Sequence, residues 1–209
     1  MTPEGSEQQT VYVVDDDDAI RNAIRALLDT ADIRCAVYAS ADEFLEAMPA
    51  EAGGCLLLDI RLPGMGGLEL QSELRRREAT LPIIFITGHG DVPIAVQAMR
   101  DGAFDFLQKP FDEELLLESI DAALVVDAAR QEEQVIDAEI RRLYESLTDR
   151  EREVLDLVVT GKPNKVIAYD LGVSQRTVEI HRSRVMKKMR ARSLAELVKL
   201  HLRISPPSS

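Results

Sequence analysis

Five side chains in the first half of this chain have types and positions that together could handle a phosphoryl group. Asp15 and Asp16 follow the apolar run VYVV, Asp59 closes CLLLD, Thr87 closes PIIFIT, and Lys109 follows FDFLQ. Each stands at the carboxyl end of a short apolar stretch, where ligands sit in open parallel sheets. Carboxylates gathered on one rim repel unless a cation joins them. Mg²⁺ (or Mn²⁺) suits that role: it takes one or two carboxylates, keeps several waters and completes its shell with phosphate oxygens. A remaining carboxylate can then attack phosphorus and form an aspartyl phosphate. Lys109 would offer the transferred group a point charge, and Thr87 a hydroxyl hydrogen bond.

The elements that must position them are legible as alternating periods. VYVV precedes DAIRNAIRALLDTA, whose Ile20, Ile24, Leu27 and Leu28 share a helix face. RCAVY leads to SADEFLEAM, with Ser40 and Glu43 at capping-box spacing. CLLLD precedes a Pro/Gly loop and GLELQSELRRR; PIIFIT precedes a helix around Val92 to Met99; FDFLQ precedes one from about Asp112. Five βα units with almost wholly apolar strands specify a doubly wound parallel sheet covered on both faces. Of the four consecutive aspartates, Asp15 and Asp16 end the strand, while Asp17 and Asp18 open the next helix with Asp18 as its N-cap. Gly64, Gly66 and Gly67 punctuate the loop after Asp59 and let backbone pass close to the site.

Length and composition frame two domains. The 209 residues are 45% hydrophobic, enough for two packed cores of ordinary size. Cys35 and Cys55 lack metal-type spacing and fall in expected strands, so they read as buried thiols in a reducing cytoplasm. No run approaches the roughly 20 apolar residues of a membrane helix, and MTPEGSEQQT lacks the regions of a signal peptide. The expected location is therefore cytoplasmic, with no membrane partner. Charge is unevenly shared: residues 1–147 hold 12 basic against 30 acidic side chains, and residues 148–209 hold 13 against 7. Any nucleic-acid contact belongs to the second half.

That half reads as a helix-turn-helix. LTDREREVLDLVVTG opens with a Thr148–Glu151 capping box and ends on Gly161. Lys165 to Leu171 forms a short helix, Gly172 the turn, and Ser174 caps a longer helix from about Gln175 to Met189. SLAELVKLHL supplies a fourth helix, giving an all-α four-helix domain whose long basic helix enters a major groove. Between the halves, residues 127–146 are helical in composition. They could form a free linker helix, pack on either domain, or make a short coiled-coil seam.

VVDDD, LLLDIRLPGMGG, IFITGHGD and FLQKPF together resemble the receiver domain of two-component response regulators, a flavodoxin/CheY-like fold, over residues 9–126. The segment from LTDREREVL to RSRVMKKM resembles the LuxR/NarL-type DNA-binding domain, over residues 147–209, and both halves look closest to the FixJ subgroup. The resemblance implies that Asp59 is the phosphoacceptor, and that Asp16, Asp59 and the backbone carbonyl of Arg61 bind the metal with Asp15 acting through water. It implies phosphoryl contacts by Thr87 and Lys109, a switch role for Phe106, a cis Lys109–Pro110 bond, and phosphate-lifetime tuning by Arg61 and His89. On the recognition helix Val178 and Val185 should face the core. Glu179, Ile180, Arg182 and Ser183 should face the groove, while Arg176, Arg184, Lys187 and Lys188, with Lys165 before them, should reach phosphates. Glu179 could equally pair with Arg176 or Arg182 along its helix. The implied partners are a sensor histidine kinase, promoter DNA, RNA polymerase and, once phosphorylated, a second copy of the chain.

For Phe106, in an apolar strand, core packing alone is as good an explanation as a switch role. Two other readings of the chain stand beside this one. An aspartate-nucleophile phosphatase needs a second aspartate two residues on, where this chain has Arg61, so the chain reads as no enzyme. A binding protein indifferent to phosphorylation would have no use for the full set of five rim residues.

Overall fold

Near-continuous runs of Val, Ile and Leu leave a strand no polar face, so both sides must be covered. The computed structural model describes residues 9–49, 52–88 and 92–204. The chain divides into two compact units, Met1–Gln131 and Glu132–Ser209. In the first, β1 (Thr10–Val14), β2 (Cys35–Tyr38), β3 (Gly54–Asp59), β4 (Ile83–Thr87) and β5 (Asp105–Gln108) form a parallel sheet in the order β2-β1-β3-β4-β5. The crossovers hold α1 (Asp18–Thr30), α2 (Ala41–Ala47), α3 (Gly67–Arg76) and α4 (Val92–Arg100), and α5 (Glu113–Glu145) follows β5. Alternate residues of β3 serve the two faces. Leu56 and Leu58 pack with Phe44, Leu70 and Leu74, whereas Cys55 and Leu57 pack with Ile24, Leu28, Leu116 and Ile120.

Helix starts follow local chemistry. Ser40 caps α2, its side chain accepting from the Glu43 amide at 3.2 Å. At α1 the expectation of Asp18 as cap is corrected to Asp17. Asp17 has extended backbone and accepts from the Ala19 amide at 2.8 Å, whereas Asp18 is already helical and pairs with Arg21. Cys35 and Cys55 are both free and both opposite Val11. They are thus two strand spacings, about 9.6 Å, apart, too far for a disulfide. Burial, with Asp127 nearby, pushes the Cys55 thiol up to about 12, leaving it unreactive.

Asp127, buried on α5, ties that helix to the sheet. Its Oδ2 accepts from the Gly54 amide and from Gln131 Nε2, each at 2.7 Å. Gly54 has φ +123°, and a Cβ there would lie 1.9 Å from the Thr10 carbonyl oxygen. Asp127→Ala is expected to lower stability by about 1–3 kcal/mol, because it strands a buried N–H. Asp127→Asn keeps an acceptor and should lose less, as denaturant titration of the two variants would show. Equal losses would mean that the hydrogen bond to Gly54 contributes nothing.

The second unit contains α6 (Asp149–Val159), α7 (Asn164–Asp170), α8 (Gln175–Lys188) and α9 (Leu194–Ile204). Its core joins Val154, Leu155, Ile167, Val178, Val185, Met189 and Leu197. Ile140, Leu143 and Tyr144 from the last turns of α5 pack on that same core.

Candidate functional site

Sheet register explains how the rim residues converge. Val14 pairs with Leu58, so Asp15 and Asp59 stand side by side on neighbouring strands. Asp59 pairs with Ile86, which puts Thr87 one residue further out, and Thr87 pairs with Gln108, the residue before Lys109. The strand order turns outward in both directions from β1 and β3, and their carboxyl ends are the switch point where such sheets bind ligands.

Lys109 bridges the two buried carboxylates. Its Nζ lies 2.6 Å from Asp15 Oδ2 and 2.7 Å from Asp59 Oδ2. The opposite oxygens are held by backbone: the Asp17 amide donates to Asp15 at 2.9 Å and the Arg61 amide to Asp59 at 3.1 Å. Lys109 is itself positioned by its amide, which donates to the Thr87 carbonyl at 2.6 Å, and the bond to Pro110 is cis. Burial raises the Asp15 carboxyl above its ordinary range, against the hydrogen bond from Lys109. Burial also pulls the Lys109 ammonium down, but hydrogen bonds to both carboxylates outweigh it and leave the ammonium raised.

Asp16 remains exposed, yet it offers an oxygen that lies within 4.8 Å of oxygens from Asp15 and Asp59. Three carboxylates with no nitrogen or sulfur donor are an all-oxygen set, which fits a hard divalent cation. Gly67 lets the chain close behind the site: a Cβ there would lie 2.4 Å from the Asp59 carbonyl oxygen. Thr87 is buried at the end of β4, and Phe106 lies beside Phe85, half-buried against the core rather than at the acidic rim. Arg61 is exposed. His89 lies outside the described residues.

In the second unit Ser174 caps α8 by accepting from the Thr177 amide at 3.1 Å, and Gly172 takes the turn with φ +64°. Val178 and Val185 are buried, which turns Arg176, Glu179, Ile180, Ser183, Arg184 and Lys187 outward. Lys165, at the start of α7, is exposed too. Among the described residues Glu179 takes part in no ion pair, so the pairing with Arg176 or Arg182 is not formed.

Two expected DNA contacts have partners within the unit. Arg182 follows Val178 by four residues and precedes Val185 by three, which places it on the inward side of the helix. It is half-buried and donates to Asn164 Oδ1 at 2.8 Å. Lys188 turns back to Glu151, 3% exposed, at 2.6 Å and to the Ser146 carbonyl at 2.9 Å. There it completes the Thr148–Glu151 capping box of α6.

The Lys188 hydrogen bond is the main reason the Glu151 carboxyl is held below its ordinary range. A lowered folded value adds stability above the unfolded value, about pH 4.3, that fades as pH falls through the folded one. Lys188→Ala is thus expected to cost about 1–3 kcal/mol in denaturant unfolding at neutral pH. It should also flatten the acid limb of stability and leave the DNA affinity of folded protein unchanged. Weaker DNA binding at unchanged stability would return Lys188 to the DNA surface.

The response regulator receiver domain family matches residues 11–121, and the luxR family of bacterial regulatory proteins matches residues 145–201. The chain belongs to the response regulators. Nodulation protein W of Bradyrhizobium diazoefficiens is 45% identical to it over 197 residues, which cover 94% of this chain and 87% of that protein. The transcriptional regulatory protein FixJ of Azorhizobium caulinodans is 45% identical over 196 residues, covering 94% and 93%. The structure of response regulator StyR superimposes with a TM-score of 0.83 at 44% identity, covering 93% of this chain and 98% of that one. This response regulator is accordingly a transcriptional regulator of a two-component system. Among its described residues no helix is long and apolar enough to cross a membrane.

Sequence reasoning missed two supports of the regulator's receiver domain. Arg21, one turn into α1, donates to the Asp15 carbonyl and to Asp18, anchoring the acidic loop. Ser119 on α5 donates to Asp105 Oδ2 at 2.6 Å, fastening β5 to that helix. The i,i+3 spacing of Asp18 and Arg21 could have signalled the first. Nothing local marks the second, a pair 14 residues apart.

Proposed function

We propose that Asp59 accepts a phosphoryl group from a sensor histidine kinase and that this raises the regulator's affinity for promoter DNA. The single observation carrying this reading is the Lys109 ammonium, 2.6 Å from Asp15 and 2.7 Å from Asp59 on the switch-point rim. In the transfer an Asp59 oxygen attacks phosphorus, the bond from phosphorus to the donor nitrogen breaks, and the histidine leaves with its electron pair. Asp15, Asp16, Asp59 and the Arg61 carbonyl would hold Mg²⁺ (or Mn²⁺), which when bound supplies Lewis-acid polarisation of a phosphoryl oxygen. Lys109 is freed from Asp59 to meet the new phosphate, and the Thr87 hydroxyl turns to a phosphoryl oxygen. Phe106 follows inward, and the face formed by α4, β5 and α5 pairs with a second copy. Arg61 and His89 tune the lifetime of the phosphate.

Two recognition helices then lie on neighbouring half-sites, with RNA polymerase as the downstream partner. Arg176, Arg184, Lys187 and Lys165 supply phosphate contacts, and Glu179, Ile180 and Ser183 face base edges. Glu179 accepts from a cytosine amino group. Glu179→Ala should therefore relax preference at one base position by about 1–3 kcal/mol, measured by competition among duplexes varied at single positions. A uniform weakening on every duplex would assign Glu179 a structural role instead.

The test of the whole reading uses a duplex selected from a random pool. Affinity and molar mass are measured with and without acetyl phosphate plus Mg²⁺. Affinity should rise about 5- to 150-fold, and mass should move from one chain to two. Equal binding by an unchanged monomer would sink the proposal.

A further inference from the structure

The far end of the sheet from Asp59 carries a groove of about 480 Å³, within the size range of small-ligand sites. It opens where β4 and β5 begin, and Leu81, Ile83, Phe104 and Val126 supply the apolar part of a mixed lining. Two guanidinium groups also line it, Arg75 from the last turn of α3 and Arg130 from α5. Arg130 donates to the Thr80 carbonyl, and Arg75 lies 3.9 Å from Asp101. A guanidinium carries five donors in a fixed fork, so neither contact exhausts it. Buried Gln71 fixes the wall, donating to the Ala98 and Asp101 carbonyls at 3.2 and 3.3 Å.

Charge makes the groove selective. Residues 1–147 hold 12 basic against 30 acidic side chains, so the surroundings repel an anion in general. Two arginines against one carboxylate, Asp101, leave the groove's own lining net positive, and the guanidinium fork matches a carboxylate. We propose that this groove binds a small amphipathic monocarboxylate, with its head between Arg75 and Arg130 and its apolar body along Leu81, Phe104 and Val126. The occupant bridges α3 and α5 at a place remote from the phosphoacceptor.

Octanoate is a suitable probe, titrated calorimetrically into the full chain and followed by amide chemical shifts. Saturable one-to-one binding is expected, with shifts clustered on residues 79–83, 101–104 and 126–130. The Arg75→Gln/Arg130→Gln double variant should bind at least tenfold more weakly, and so should Val126→Glu, a change at a partly exposed position. Octan-1-ol, which lacks the charge, should bind at least tenfold more weakly to the unaltered protein. Octanoate binding that does not saturate, equal affinity in the double variant, or shifts centred elsewhere would overturn the assignment. Asp59→Asn should bind octanoate as tightly as the unaltered chain, so failure here and failure of the phosphorylation reading are separable.

Discussion

With Asn in place of Asp59, acetyl phosphate plus Mg²⁺ is expected to leave DNA affinity at its basal value, while the unaltered chain gains about 5- to 150-fold. Asn keeps the shape of the side chain and can still accept the Arg61 amide, which donates to Asp59 at 3.1 Å. What it loses is the nucleophilic carboxylate oxygen, so no acyl phosphate can form. Intact-mass spectrometry of the same samples should show one added phosphoryl group on the unaltered chain and none on the variant. A variant that still gains affinity would place the phosphoacceptor elsewhere.

Lys109→Met should produce the largest change in stability. One ammonium serves two carboxylates, one of them 2% and the other 11% exposed at the side chain. Removing one partner of a buried charge group costs about 3–5 kcal/mol, because the remaining charges stay behind uncompensated. In chelator the variant should therefore unfold at a markedly lower denaturant concentration than the unaltered chain. Added Mg²⁺ should restore much of the loss, since at about one hundred times its dissociation constant a ligand of the folded state contributes roughly 2.7 kcal/mol. Phosphorylation of the restored variant should raise DNA affinity less than in the unaltered chain, because the new phosphate no longer draws a cation across the rim. Equal stability in chelator would refute the bridging role.

The rim was readable because each reactive residue punctuates an apolar run, and apolar runs are what the sheet is made of. Asp15, Asp59, Thr87 and Lys109 needed only the register of parallel strands to meet. The DNA-facing helix was readable less evenly. Positive charge put Arg182 and Lys188 at the DNA; the fold adds that helical phase sets Arg182 beside Val178 and Val185 and that Lys188 reaches Glu151, 37 residues away. Asp127 gave half a signal. It continues the inward stripe of Leu116, Ile120 and Ala123, so a carboxylate in that phase marks a buried acceptor. The donor it serves, Gly54, is 73 residues distant and could not have been named without the fold.

The spread of the rim along the chain has a consequence for when the protein becomes addressable. Lys109 meets Asp59 across 50 residues and Asp15 across 94. A nascent chain that has not yet emitted β5, or one whose outer strands have come away, presents carboxylates without their counter-charge and no coherent acceptor. If Asp59 receives the kinase signal, a coherent acceptor exists only once the five strands of the receiver sheet are paired, so the same site also reports the integrity of that sheet.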